Sequence, residues 1–332
     1  MIGTVGERFI KYLWVFIPLL ILGLLLNIVV GEVSIPLGAL LDPSRVYRVI
    51  ILNIRLPEAL ACIIVGADLS VAGAVMQALF RNPLAEPYVT GTASGALLGA
   101  LIGLLISVVS RHGSFSIVLM PLFSFVGAMA ATALVLVFGR GGWLSLILAG
   151  IGVSIMLSSI VMMLDTYILT IMPTLPAIVY LLFGTVSGIN WSEVLAMFCV
   201  TLPTITYLIL SSREVNLLMI SDEVAQAGGV NPGASRAIFI ALTGLLTAAS
   251  VSFTGIIGFV GLVTPHITRL LLKSSDNSRV IPLSIISGST IMLYANVLSK
   301  VVVPGVVMPI TAITSLFGVP VLLTLLRGVG NE

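Results

Sequence analysis

Charge is the scarcest property of this sequence. Asp, Glu, Lys and Arg make up 8% of its 332 residues, where soluble domains carry roughly 25%, and that shortage excludes a chain solvated on all sides. Thirteen acids against 15 bases leave a net charge of +2, too little to mark a nucleic-acid surface. The two cysteines, Cys62 and Cys199, lie inside apolar runs, where a lone thiol behaves as a small hydrophobe and says nothing about redox compartment. There is no Gly-x-x-x-x-Gly-Lys-Ser/Thr run, so no loop of that kind cradles nucleotide phosphates, and any ATP chemistry must belong to a partner. What is abundant is apolar: 58% of the residues are hydrophobic, in runs long enough to cross ~30 Å of hydrocarbon as helices. The composition is that of a polytopic membrane protein.

Polar punctuation divides the chain into ten expected spans, near 9–30, 57–79, 89–109, 116–138, 144–164, 191–210, 237–254, 256–272, 281–303 and 311–327. The opening run, Tyr12 to Val30, exceeds a signal-peptide core of about 7 to 15 residues and lacks a small-x-small cleavage site, so it reads as a span. Residues 237–272 are too long for one crossing and fold at Thr254-Gly255, where glycine permits a tight reversal. Between Asp165 and Trp191, the segment Ile178 to Phe183 is flanked by Pro173, Pro176, Gly184 and Gly188. It is too short to span and reads as a re-entrant or surface helix. An even count puts both termini on one side. With the N-terminus inside, Arg8, Lys11, Arg81, Arg140, Arg213, Arg236, Arg269, Lys273, Arg279 and Arg327 are cytoplasmic, and Arg45, Arg48, Arg55, Arg111 and Lys300 are outside. That excess of bases inside follows the positive-inside rule. The expectation is an all-α integral membrane protein of ten transmembrane helices, one domain over 1–332, with both termini cytoplasmic. Many of its glycines fall within spans, where small residues let helix backbones approach.

The largest expected cytoplasmic insertion is 211–236. Ser221 can cap a short helix, Asp222 and Glu223 place negative charge at its positive end, and Gly228-Gly229 followed by Pro232 stops it. The two turns from Asp222 to Ala227 are marginal alone, so they either pack against something or form a solvated connector. Asp68 sits near the centre of the second span, where a carboxylate costs roughly 2.5 kcal/mol or more and faces the bundle interior. It is either an acid hydrogen-bonded to a hydroxyl such as Ser70 or a residue of a transport path. His266 at membrane depth has no second ligand at metal spacing on its helix and reads as packing. An intramembrane hydrolase built on Ser94 and His266 rests only on Gly-x-x-Ser-Gly, and an ion-coupled transporter needs more intramembrane ionisable groups than Asp68 supplies.

Several long runs, in order, carry a resemblance: Arg55-Leu56-Pro57, Gly73-Ala74-Val75-Met76-Gln77, Asn82-Pro83-Leu84-Ala85-Glu86-Pro87, Gly258 through His266, and Gly318-Val319-Pro320. Together they resemble the FecCD family of ABC importer permeases, which carry iron-siderophores, haem and vitamin B12. The resemblance implies the ten-helix fold of the vitamin B12 importer permease (a type II ABC importer), with 1–332 as one permease domain in the cell membrane of a prokaryote. It also implies a second permease copy as a homodimer, two cytoplasmic ATPases holding ATP and Mg, an external substrate-binding protein and no cofactor on this chain; the cargo it suggests first is an iron-siderophore. By position, Ser221, Asp222, Glu223, Gln226, Gly228 and Gly229 match the element that couples to the ATPase, and Asn82 and Leu84 match the cytoplasmic gate. Arg55 and Lys300 match external bases that dock the binding protein. The family's Arg-Leu-Pro-Arg departs here to Glu58, a change for which Arg45 or Arg48 would compensate. The fifth and tenth spans are implied to line the path.

Overall fold

The computed structural model describes residues 2–31, 35–36, 45–109, 116–171, 184–303 and 305–329, which are largely helical with no strand among them. Its helices are α1 (Ile2–Val29), α2 (Arg45–Ile50), α3 (Leu56–Leu79), α4 (Thr92–Val109), α5 (Ser116–Phe138), α6 (Trp143–Ile171), α7 (Trp191–Leu210), α8 (Ser212–Ile220), α9 (Asp222–Ala227), α10 (Pro232–Thr254), α11 (Val260–Leu272), α12 (Asn277–Val301) and α13 (Ile310–Val329). Among the described residues, seven helical stretches are long and apolar enough to cross a membrane, the longest being 45–79, where α2 continues into α3 through a wide turn at Ile51–Arg55. The apolar parts of α4, α11 and α13 are shorter.

The core is α3. Nearly every residue from Pro57 to Leu79 is buried, because small side chains on this helix let neighbours close on it from several sides. A Cβ on Gly73 would fall 1.7 Å from the Gly261 carbonyl oxygen of α11, and one on Gly66 would fall 2.4 Å from that of Gly288 on α12. Gly95 of α4 and Gly127 of α5 meet in the same way. In lipid, where apolar surface gains nothing by leaving the solvent, this close approach and interhelical hydrogen bonds hold helices together.

The expected reversal at Thr254-Gly255 is present: α10 ends at Thr254 and Gly255 takes φ 72°. Beyond the reversal, the backbone departs from the expected span at 256–272. Residues 255–259 are not helical, Phe259 takes φ 69°, and α11 has only 13 residues, a rise of ~20 Å that falls short of the hydrocarbon thickness. Irregular backbone inside a membrane protein needs protein partners for its polar groups. Here Tyr88 Oη donates to the Ile257 carbonyl and accepts from the Ile257 N–H, while Thr311 and Thr314 donate to the carbonyls of Ile256 and Gly258.

Other boundaries also move. The fourth helix begins at Thr92 after a tight turn at Pro87–Thr90 and Gly91 at φ 73°. Helix α6 extends to Ile171 rather than ending at 164, and α8, within the 211–236 insertion, has no counterpart in the pattern of the sequence. The expected short helix at Ile178 to Phe183 lies outside the described residues.

Candidate functional site

Helix α9 forms over the expected residues, with the Ser221 hydroxyl accepting the Val224 N–H at 3.1 Å. Its stop divides differently between the glycines: Gly228 keeps φ −81° and Gly229 alone turns left-handed at φ 81°. Two turns this short are held from beneath. Arg236, buried at the start of α10, donates Nη1 and Nη2 to the two Asp222 carboxylate oxygens at 2.8 and 2.5 Å, and Arg81 Nη2 donates to Oδ1 at 2.7 Å. Arg81 also donates Nε and Nη2 to the Leu218 carbonyl of α8. These charge-assisted bonds, those of Arg236 first, hold the Asp222 carboxyl below its usual range. Ala225 faces inward, fully buried, while Glu223, Val224, Gln226 and both glycines face out. Asp222 is therefore more than a charge at a helix end, since it clamps α9 to α3 and α10.

Arg81 also carries the clamp into the candidate gate. It ends α3 in the left-handed region at φ 48°, and the next residue, Asn82, accepts the Leu84 N–H on Oδ1 at 2.9 Å. This side-chain turn leaves Leu84 exposed at 42%. The residues expected to couple and to gate, separate in the sequence, form one connected structure. The signal available was that Arg81 and Arg236 are both expected on the cytoplasmic side of a charge-poor chain, facing the acidic start of α9.

At the opposite end of α3 the expected docking bases are not free-standing cations. Lys300 Nζ lies 2.5 Å from Glu58 Oε2, with both side chains buried, and Glu58 Oε1 accepts the Gly188 N–H at 3.3 Å. Arg55 is buried and donates to the Val30 carbonyl at 2.5 Å. Of the expected docking residues, Arg48 is exposed, as is Arg45 beside it. Glu58 does more than thin out a basic surface, because it neutralises Lys300 from within the chain.

Ser94 pairs with Ser158 of α6 at 2.9 Å and makes no hydrogen bond to His266 among the described residues, so the nucleophile and base of a hydrolase are not brought together.

A model of the FecCD transport family matches residues 19–328. The chain belongs to that family. This FecCD chain is 33% identical over 330 residues to the vitamin B12 import system permease protein BtuC of Yersinia enterocolitica, covering 97% of this chain and 94% of that protein. It is also 33% identical over 288 residues to a protein of Methanocaldococcus jannaschii assigned as an ABC transporter permease, covering 84% and 82%. Among solved structures it superposes with a TM-score of 0.86 and 30% identity on a metal-chelate type ABC transporter in an inward-facing conformation, covering 96% of this chain and 99% of that one.

Within the FecCD bundle, Asp68 is fully buried and faces the interior, as expected, but its partner is not Ser70. Its Oδ2 accepts hydroxyl bonds from Thr201 of α7 at 3.0 Å and Ser250 of α10 at 2.9 Å. A hydroxyl two residues along the same helix points elsewhere, and Ser70 faces Gly288 instead. Asp68→Asn retains an acceptor for both hydroxyls, so it should keep stability within about 1 kcal/mol, whereas Asp68→Ala strands both and should cost about 2 kcal/mol or more. Thermal unfolding in detergent, paired with uptake, checks this. An assembled, stable Asp68→Asn chain that fails to transport would move Asp68 from packing to the path.

Proposed function

We propose that this FecCD chain is the permease subunit of an ATP-driven importer for a metal chelate. The observation that carries the reading is α9, a short helix with an exposed outer face whose inner side is fastened through Asp222 to Arg81 beside the gate turn and to Arg236 of α10. A rigid attachment of this kind transmits displacement, and a solvated connector needs none. In this reading Ser221 to Gly229 seats against a cytoplasmic ATPase that holds ATP and Mg. Asn82 and Leu84 close the cytoplasmic end, and Arg48, with Arg45, meets the external binding protein. Work comes from differential binding of ATP to two states of the assembly.

The same proposal takes 1–332 as one domain crossing ten times, counting α4, α11 and α13 with the seven longer stretches, with both termini cytoplasmic. Two copies pair as a homodimer in the cell membrane, with α6 and α13 along the path. The chain binds no cofactor and hydrolyses nothing.

Cargo is where the relatives alter the order of expectation. The sequence resemblance suggests an iron-siderophore first, but a curated relative matching nearly the whole chain is named for vitamin B12 import, so cobalamin is the first cargo to try, with ferric siderophore and haem beside it.

The test is uptake into proteoliposomes holding the chain, its partner ATPase and a binding protein. Vanadate-sensitive, ATP-dependent accumulation of a chelate is expected. Accumulation driven by an ion gradient without the ATPase would favour a secondary transporter and remove this assignment.

A further inference from the structure

A cavity of about 760 Å³ opens between α5, α7 and α10, apart from the coupling cluster and the Glu58–Lys300 pair. Its depth within the membrane follows from the Asp68 clasp. Thr201 of α7 bonds Asp68, which lies midway along the crossing helix α3 (Leu56–Leu79). Asn190, the cap of α7, is eleven residues earlier, ~16 Å along the helix axis, or about half of the ~30 Å hydrocarbon. The cavity therefore runs from a membrane surface, at Asn190 and Glu193, down to Val200 beside the midplane, the depth of one leaflet.

Its polarity follows that depth. Asn190 and Glu193 stand at the mouth, and Phe125, Val200, Ala249 and Phe253 line the interior. At the mouth Trp191 is exposed and donates its indole N–H to the Leu52 carbonyl at 2.8 Å, the position of an aromatic belt residue.

The charge is of one sign. Among the described residues, no Lys, Arg or His lines the cavity. Glu193 uses Oε2 to accept the Asn190 N–H in the capping box and makes no ion pair among the described residues. A carboxylate at the membrane surface, where the local dielectric is below that of water, attracts a cation more strongly than it would in solution. A headgroup carrying only phosphate finds no base among the described residues here.

We propose that this cavity binds one phospholipid, with its ammonium headgroup against Glu193 and an acyl chain reaching Val200. This goes beyond transport and does not depend on cargo or on the ATPase, so its failure leaves the importer reading untouched.

The test is native mass spectrometry of the full chain, delipidated in detergent and supplied with phosphatidylethanolamine or phosphatidylglycerol at equal concentration. Phosphatidylethanolamine should be retained at least about fivefold better, the preference expected of one ion pair. Glu193→Gln removes the charge while glutamine still serves the capping box, and should equalise the two lipids. Ala196→Trp, or Val200→Phe if the tryptophan variant does not fold, should fill the cavity and remove the retained lipid. Equal retention by the wild-type chain, or an undiminished preference in Glu193→Gln, would overturn the proposal. So would a photo-crosslinker at Ala196 that captures a second copy of the chain in native membranes instead of lipid.

Discussion

ATP-driven uptake should fall to background in the double variant Gly228→Val, Gly229→Val, while the bundle stays folded and still binds the external protein. Gly229 holds φ 81°, a conformation in which a β-branched residue is a genuine outlier, strained by about 1–3 kcal/mol. Gly228 has a different constraint: a Cβ there would lie 2.7 Å from Leu217 Cδ1, so valine must displace the α8 side chain beneath it. Both glycines are exposed and lie outside the spanning helices, so thermal unfolding of the bundle should move little. The Asp222 clamp at the other end of α9 persists, and the element stays attached but misdirected. Stimulation of ATPase activity by docking should vanish with uptake. Wild-type uptake by a well-assembled double variant would reduce α9 to a connector and take the mechanical link from the importer assignment.

Lys300→Met should be among the most destabilising single changes in the chain. It strands Glu58, whose side chain is 6% exposed, and an uncompensated buried charge costs about 3–5 kcal/mol. Adding Glu58→Gln removes the stranded charge while keeping an acceptor for the Gly188 N–H, so the double variant should recover most of the loss. Chemical denaturation of the wild type, both singles and the double closes the cycle. Additive effects would mean that the two side chains do not act as a pair. The same geometry redirects the docking experiment. With Lys300 neutralised internally, charge reversal at Arg48 and Arg45 is the change that should weaken association with the binding protein, most visibly at low salt.

Features written within a few residues of one another are legible in the sequence. The Ser221 cap, the extent of α9, the glycine stop and the break at Thr254-Gly255 depend on local backbone chemistry, and each stands where composition places it. Contacts between distant segments are not legible. Ser70 is the partner that sequence proximity offers Asp68, yet the hydroxyls that reach it come from α7 and α10, 133 and 182 residues away. Glu58 reads as a missing base, because the topology puts Lys300 on the same side without showing that the two side chains, 242 residues apart, meet. Topology puts Arg81 and Arg236 on the side of the acidic start of α9, but the sequence does not show that both meet the one carboxylate of Asp222. Hydropathy likewise reports that 256–272 is apolar without reporting depth, and depth is what separates a full crossing from the short α11.

The elbow at 255–259 has a consequence for how the chain is made. Its carbonyls at Ile256 and Gly258 are satisfied by Thr311 and Thr314, residues synthesised more than fifty positions later. Lipid offers no substitute for those donors, so α10 and α11 cannot reach their final form when they leave the ribosome and enter the bilayer one after another. They wait, sheltered by protein or by the insertion machinery, until α13 arrives. Helix α13 therefore completes the elbow: a chain cut short before residue 310 leaves the Ile256 and Gly258 carbonyls without their donors.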